Sequence, residues 1–192
     1  MKIGDFGHEI QAFQIEHGLA PDGICGWDTW SRWRADNDTS LPWQLVRAFS
    51  RIGVVTCYSM DIARQGPHCT DCSGFVCDAL GITKAPGGPD EIPWWLNTDG
   101  VLRDALGQEH CFDKIALADL KPGDMVCYGH HATGVGHIAF VVDPAGRIVC
   151  DCSGSRNGVH VHADDRAHFW TRQDVTVYGL RYIGPSPASV VA

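Results

Sequence analysis

The stretch Ile138-Ala139-Phe140-Val141-Val142, then Asp143-Pro144-Ala145-Gly146, then Arg147-Ile148-Val149-Cys150 decides the fold class. Two short apolar runs rich in β-branched residues flank a turn built from Pro, Ala and Gly, which is the pattern of an antiparallel hairpin. Further β-rich runs lie on either side, Met125 to Tyr128 before it and Val175 to Ile183 after it. Upstream the periodicity changes. Leu45, Val46, Phe49 and Ile52 recur at helical spacing between Trp43 and Ile52, and Cys72 to Leu80 reads as a second short helix stopped by Gly81. Helices first and antiparallel strands second predict an α+β domain in which helices pack on one sheet.

The chain has 192 residues, 15 Lys+Arg against 23 Asp+Glu, a net charge of -8 and 44% hydrophobic residues. This suits one domain of moderate size with a small appendage. The acidic balance and the lack of a basic run argue against nucleic acid or an anionic membrane as partner. No stretch approaches the roughly 20 apolar residues of a membrane span, and Met1 to Glu9 lacks the apolar core of a signal peptide. The expectation is a protein made in the cytoplasm that acts elsewhere after lysis or dedicated export. Nine cysteines, an odd count without a leader, predict mostly reduced thiols, with Cys77, Cys127 and Cys150 as small buried hydrophobes.

The first segment reads helix, turn, helix: Ile10, Phe13 and Ile15, then the Gly- and Pro-punctuated Gly18 to Gly26, then Trp27 to Trp33 with Trp30 and Trp33 on one face. The polar run Arg34 to Ser40 reads as a linker, so residues 1–40 form a small helical segment and 41–192 the main domain. Lys84 to Asp113, with Pro86, Pro89 and Pro93, reads as a loop, and Gly184 to Ala192 as a loose tail.

One cysteine stands apart. Asp71-Cys72-Ser73-Gly74-Phe75-Val76 puts a thiol where a loop becomes a helix, and the unpaired N–H groups there favour the thiolate, the form that attacks. Such a nucleophile needs a base, and His137 in Gly136-His137-Ile138 begins a strand that would hold its ring, with Gly136 leaving room for substrate. Across the hairpin, Cys150-Asp151-Cys152-Ser153 offers Asp151 to accept the imidazole N–H. The backbone N–H groups of Cys72 and Ser73 are the natural oxyanion donors, with Tyr58 a supporting hydroxyl.

Four motifs in order, Asp71 to Val76, Leu120-Lys121-Pro122-Gly123-Asp124-Met125-Val126, Gly136-His137-Ile138, and the Asp151 to Ser153 strand, make residues 43–183 resemble the NlpC-type papain-like cysteine peptidases that cut bacterial cell-wall peptides. The resemblance implies a papain-like α+β fold, with Cys72 as nucleophile, His137 as base and Asp151 in the orienting position, where that family more often carries a neutral residue or His. It implies an amidase-type hydrolase of peptidoglycan stems, cutting between D-Glu and the diamino acid. The alternatives are cleavage between muramic acid and L-Ala, acyl transfer to an amine, or a non-catalytic wall-binding protein. Tyr58 takes the place of the family's upstream Tyr, although Ser59-Met60-Asp61 follows it in place of Gly-Gly. Phe13-Gln14, Gly18-Leu19, Asp22-Gly23-Ile24, Gly26 and Thr29-Trp30 resemble one half-repeat of small helical peptidoglycan-binding domains. The partners implied are bacterial peptidoglycan and an immunity or inhibitor protein, in the setting of a phage lysin or an exported effector. No cofactor and no metal are expected.

Rival readings attach to several residues. Cys69 with Cys72 and Cys150 with Cys152 present four sulfurs that a zinc ion accepts in principle, or a redox pair. His160 and His162 alternate along a strand-like stretch, and either is an alternative to Asp151 as third residue, although the simpler expectation is that they lie on the surface. Trp94-Trp95 reads as a groove wall or as buried core, and His130-His131 as solvated loop residues.

Overall fold

The structure is a computed structural model that describes residues 6–21, 29, 32, 41–61, 64, 66–82, 97–108, 111–130, 134–165 and 167–184. Several expectations fall outside them: Cys25, the second N-terminal helix around Trp30 and Trp33, the linker, Trp94-Trp95, His131 and the tail. Helix α1 (Phe6–Glu16) carries the Phe13-Gln14 pair. Gln14 is buried and donates through its side-chain amide to Thr29 Oγ1 at 2.8 Å.

Helix α2 (Trp43–Phe49) follows the predicted apolar spacing, burying Leu45, Ala48 and Phe49. Two short strands, β1 (Cys57–Tyr58) and β2 (Cys69–Thr70), pair in parallel, and a disulfide joins Cys57 to Cys69. The expectation of reduced thiols therefore fails at this pair, which strand pairing brings together from 12 residues apart. Helix α3 (Cys72–Leu80) is where the sequence predicts it. Asp71 caps its start, accepting from Gly74 N–H at 2.6 Å, and Gly81 ends it in the left-handed conformation that glycine adopts without steric cost. All its residues except Asp78 are buried, because other elements surround it.

The span read as a loop contains two elements that the sequence reading missed. Helix α4 (Thr98–Arg103) is capped by Asn97, whose Oδ1 accepts from Gly100 N–H at 2.8 Å. A wide turn follows, and Asp104 closes it by accepting from the Cys111 and Phe112 N–H groups, both at 2.9 Å. Strand β3 (Phe112–Ile115) begins there.

The remaining strands are β4 (Met125–Tyr128), β5 (His137–Asp143), β6 (Ile148–Ser153), β7 (Gly158–Ala163) and β8 (Tyr178–Tyr182). They complete a six-stranded sheet in the order β3-β8-β4-β5-β6-β7, every neighbour antiparallel. The hairpin at Pro144 to Arg147 joins β5 to β6 as read from sequence, while β8 starts at Tyr178, three residues later than the apolar run. Helices on an antiparallel sheet make this an α+β fold. The main core lies between α2, α3 and one sheet face, where Phe75 and Phe140 meet edge to face with ring centroids 5.7 Å apart.

The Leu120 to Asp124 motif turns the chain into β4. Asp124 Oδ2 accepts from Lys121 N–H at 2.7 Å, and the carboxylate takes both ends of the Arg181 guanidinium from β8, at 2.8 and 2.7 Å. No helix among the described residues is long and apolar enough to cross a membrane.

Candidate active site

The N-terminus of α3 supplies the thiol. Cys72 is buried in the first turn beside the Ser73 and Cys72 backbone N–H groups, and the Asp71 carboxylate takes Gly74 N–H and the Ser73 hydroxyl (3.0 Å). The backbone donors and the helix dipole favour negative charge at this end. Ser73 also fixes the helix by accepting, through its carbonyl, from the Cys77 thiol at 2.7 Å.

His137 opens β5 and meets both proposed partners. Its Nε2 donates to Asp151 Oδ2 at 2.7 Å, and the Cys72 thiol lies near enough to favour the charged ring. The ring lies flat against Phe169, centroids 5.6 Å apart and planes 16° from parallel, with Tyr128 on the adjoining strand at 6.4 Å. Phe169 escaped the sequence reading because it lies in a loop with no local signal.

Asp151 sits in β6, 2% exposed. Besides His137, it accepts from His162 Nε2 at 3.0 Å through Oδ1. The β6–β7 register explains the meeting: Asp151 pairs with His160 and Val149 with His162, so both histidines share a sheet face with Asp151. His160 turns to the Arg156 carbonyl at 3.1 Å, and His162, one step along, takes the carboxylate. The expectation that both are surface residues is thus wrong for His162, which is buried, while His160 is partly buried. The alternation of two histidines was the available signal; only the register reveals their use.

The charges reinforce one another. Burial opposes charge on His137, but its hydrogen bonds to Asp151 and Cys72 outweigh it and raise the ring to about 10. Burial likewise opposes charge on Asp151, and the two histidines outweigh it, holding the carboxyl well below the usual range. Burial, then the neighbouring Asp151 and Cys72, push the Cys152 thiol up, which disfavours this second cysteine as a nucleophile.

Tyr58 is near the same group. Burial, then Cys72 and Asp71, raise its hydroxyl, so it remains a proton donor. Its N–H donates to Asn157 Oδ1 at 3.1 Å, and its ring lies against Gly154. Gly136 has a different role from the one read in the sequence. A Cβ there would strike the Thr98 side chain and the Tyr128 carbonyl, so glycine allows α4 to approach the strand and leaves no space for substrate. His130 is half exposed and pairs with Asp99. The four-sulfur zinc reading loses Cys69 to the disulfide, and among the described residues no group of three or more His, Cys, Asp or Glu is arranged to hold a metal.

A thiol at a helix start, an imidazole on a strand and a carboxylate behind it are side chains of the kinds that nucleophilic catalysis requires. Residues 38–186 match the family of bacteriophage peptidoglycan hydrolases, and the chain belongs to that family. Two solved structures are similar to it, NlpC1 and NlpC2 from Trichomonas vaginalis, each at 16% sequence identity and with TM-scores of 0.44 and 0.42. The matches cover 76% and 75% of this chain but only 45% and 48% of the two proteins, so the chain spans under half their length. A search of curated proteins found no match.

Proposed function

We propose that the protein cleaves an amide bond in the peptide stem of peptidoglycan, between D-Glu and the diamino acid, by cysteine chemistry. The observation that carries this reading is the bond from His137 to Asp151 at 2.7 Å, on a ring whose charge the thiol of Cys72, at the N-terminus of α3, also favours. The Cys72 thiolate attacks the carbonyl carbon, forming a C–S bond and an oxyanion that the Cys72 and Ser73 N–H groups and the Tyr58 hydroxyl stabilise. The oxyanion collapses, the C–N bond breaks, and His137 gives its Nδ1 proton to the departing amine. Water then loses a proton to His137 and attacks the thioester. The C–S bond breaks, the new stem carboxylic acid leaves, and the thiolate and imidazolium are restored. Asp151 keeps the ring oriented and offsets its charge throughout.

In the same reading residues 1–40 hold the enzyme on the wall, and the buried Gln14 to Thr29 bond is the contact that supports it. The test is mass spectrometry of muropeptides from diamino-acid and lysine walls after incubation with wild type and Cys72→Ala. New stem fragments ending in D-Glu with wild type alone are expected. Fragments from Cys72→Ala would overturn the nucleophile, and free muramic acid ends would move the scissile bond to muramoyl-L-Ala.

A further inference from the structure

We infer that His162 is a positioning residue of the reaction, fixing the plane of the Asp151 carboxylate from which His137 takes its orientation; the inference rests on the Cys72–His137–Asp151 reading. An aspartate carboxylate rotates in a broad well about its last torsion, so a bond to one oxygen sets a contact but not a plane. Asp151 is held at both oxygens, Oδ2 by His137 at 2.7 Å and Oδ1 by His162 at 3.0 Å. With both held, the direction in which Oδ2 points at His137 is determined, and with it the direction of the opposite ring nitrogen toward Cys72.

His162 is itself immobilised. It is 8% exposed, and its Nδ1 donates to the Ala163 carbonyl at 2.7 Å. Farther out, Asp165 Oδ1 lies 3.7 Å from the same nitrogen, and Asp165 is gripped by Arg156 at 2.8 and 3.0 Å. A run of fixed groups therefore extends from Arg156 at the surface, through Asp165, His162, Asp151 and His137, to the thiol. A buried carboxylate also requires partners for its charge. When His137 hands its proton to the leaving amine, the charge pairing on Oδ2 weakens. The bond from His162 to Oδ1 persists through that step, so Asp151 has no cause to turn away from the ring.

The test uses the full chain and soluble muropeptides, with active sites counted by mass-spectrometric detection of iodoacetamide on Cys72. His162→Leu removes the donor, His162→Asn is too short to reach Oδ1, and His162→Gln keeps an N–H within reach. Per active site, kcat is expected to fall about 10- to 100-fold in the Leu and Asn variants with KM within about twofold, and to recover most of its value in the Gln variant. In an Asp151→Asn background, adding His162→Leu is expected to cause little further loss, since the effect of His162 passes through the carboxylate. A merely structural histidine would lower the number of active sites and leave kcat per site unchanged, and its losses would multiply with those of Asp151→Asn. Either result overturns the inference. Should the Leu variant not fold, the contrast between Asn and Gln decides in the same way. If Cys72→Ala still hydrolyses, the underlying catalytic reading fails. If it is inert while kcat per site in the His162 variants matches wild type, only the role of His162 fails.

Discussion

The two faces of β5, β6 and β7 are built from alternate residues of the same strands and differ in what they carry. One face presents Ile138, Phe140, Cys150, Cys152 and Val159 to the large apolar cluster that includes α3. The other presents Ala139, Val141 and Val149 to a smaller cluster with Tyr128 and Phe169, and beside them His137, Asp151 and His162. A period of two thus puts His137, Asp151 and His162 on the face opposite the α3 cluster, to which Cys72 itself belongs, at positions next to the apolar residues along the chain. Stability and chemistry should therefore be separable by substitutions at adjacent positions.

His137→Gln is the largest expected break on the polar face. A glutamine amide still donates to Asp151 but transfers no proton, so kcat on muropeptides should drop about 10²- to 10⁴-fold. Its guanidinium unfolding midpoint, measured above pH 10 where the charge pairing of His137 has faded, should stay close to wild type. On the apolar face, Phe140→Ala should cost about 3–5 kcal/mol of unfolding free energy, because it removes a fully buried ring from its contact with Phe75. Equal loss of stability in both variants would mean that the two faces are one cooperative unit with no division of labour.

Asp151→Asn sharpens the comparison through pH. The hydrogen bond to Asp151 is the foremost cause raising His137, so losing the negative charge should bring the ring down from about 10 and move the alkaline edge of kcat/KM to lower pH. The sign for stability follows. His137 is raised above the ordinary imidazole value of about 6.5, so its pairing stabilises the fold fully below that pH and the contribution disappears as pH rises through about 10. Thermal midpoints at pH 6, 8 and 10 should fall more steeply across that interval in wild type than in Asp151→Asn. Parallel curves would sink the assignment. Asp151 itself is lowered, so its own contribution is lost only in strong acid, outside this window.

The apolar face was legible in the sequence because its signals are local. Asp71 and Gly81 mark the two ends of α3, and the runs around Pro144 to Gly146 mark the hairpin. The approach of His137 to Asp151, and Cys72 at the start of α3, were legible because each residue sits next to such a signal. Helix α4 and strand β3 were not, since they lie in a span where Pro and Gly dominate the reading, and Asn97 and Asp104 organise them through bonds to residues three to eight positions away. His162, Phe169 and the Cys57–Cys69 bond depend on register and loop path, which no single stretch encodes. Gly136 was read as room for substrate because its neighbour is chemical, whereas the structure uses it for the approach of Thr98.

The smallest expected effect lies on the side of α3 turned away from the sheet. Asp78 is the exposed residue of that helix, and Arg51 pairs with it at 2.6 and 2.9 Å, the two side chains 32% and 52% exposed. Solvent and salt screen such a pair, and ordering two long side chains opposes it, so Arg51→Ala should cost less than about 1 kcal/mol and leave kcat unaltered. Arg47, one turn earlier, differs in kind, because its guanidinium donates to the Ala79 and Asp78 carbonyls at 2.6 and 2.9 Å and so completes the helix end. Chemical denaturation of Arg51→Ala at low and high salt checks the point. A loss well above 1 kcal/mol that persists in high salt would mean that the outer side of α3 also bears load, and that the stability of the Cys72 helix does not come from the buried face alone.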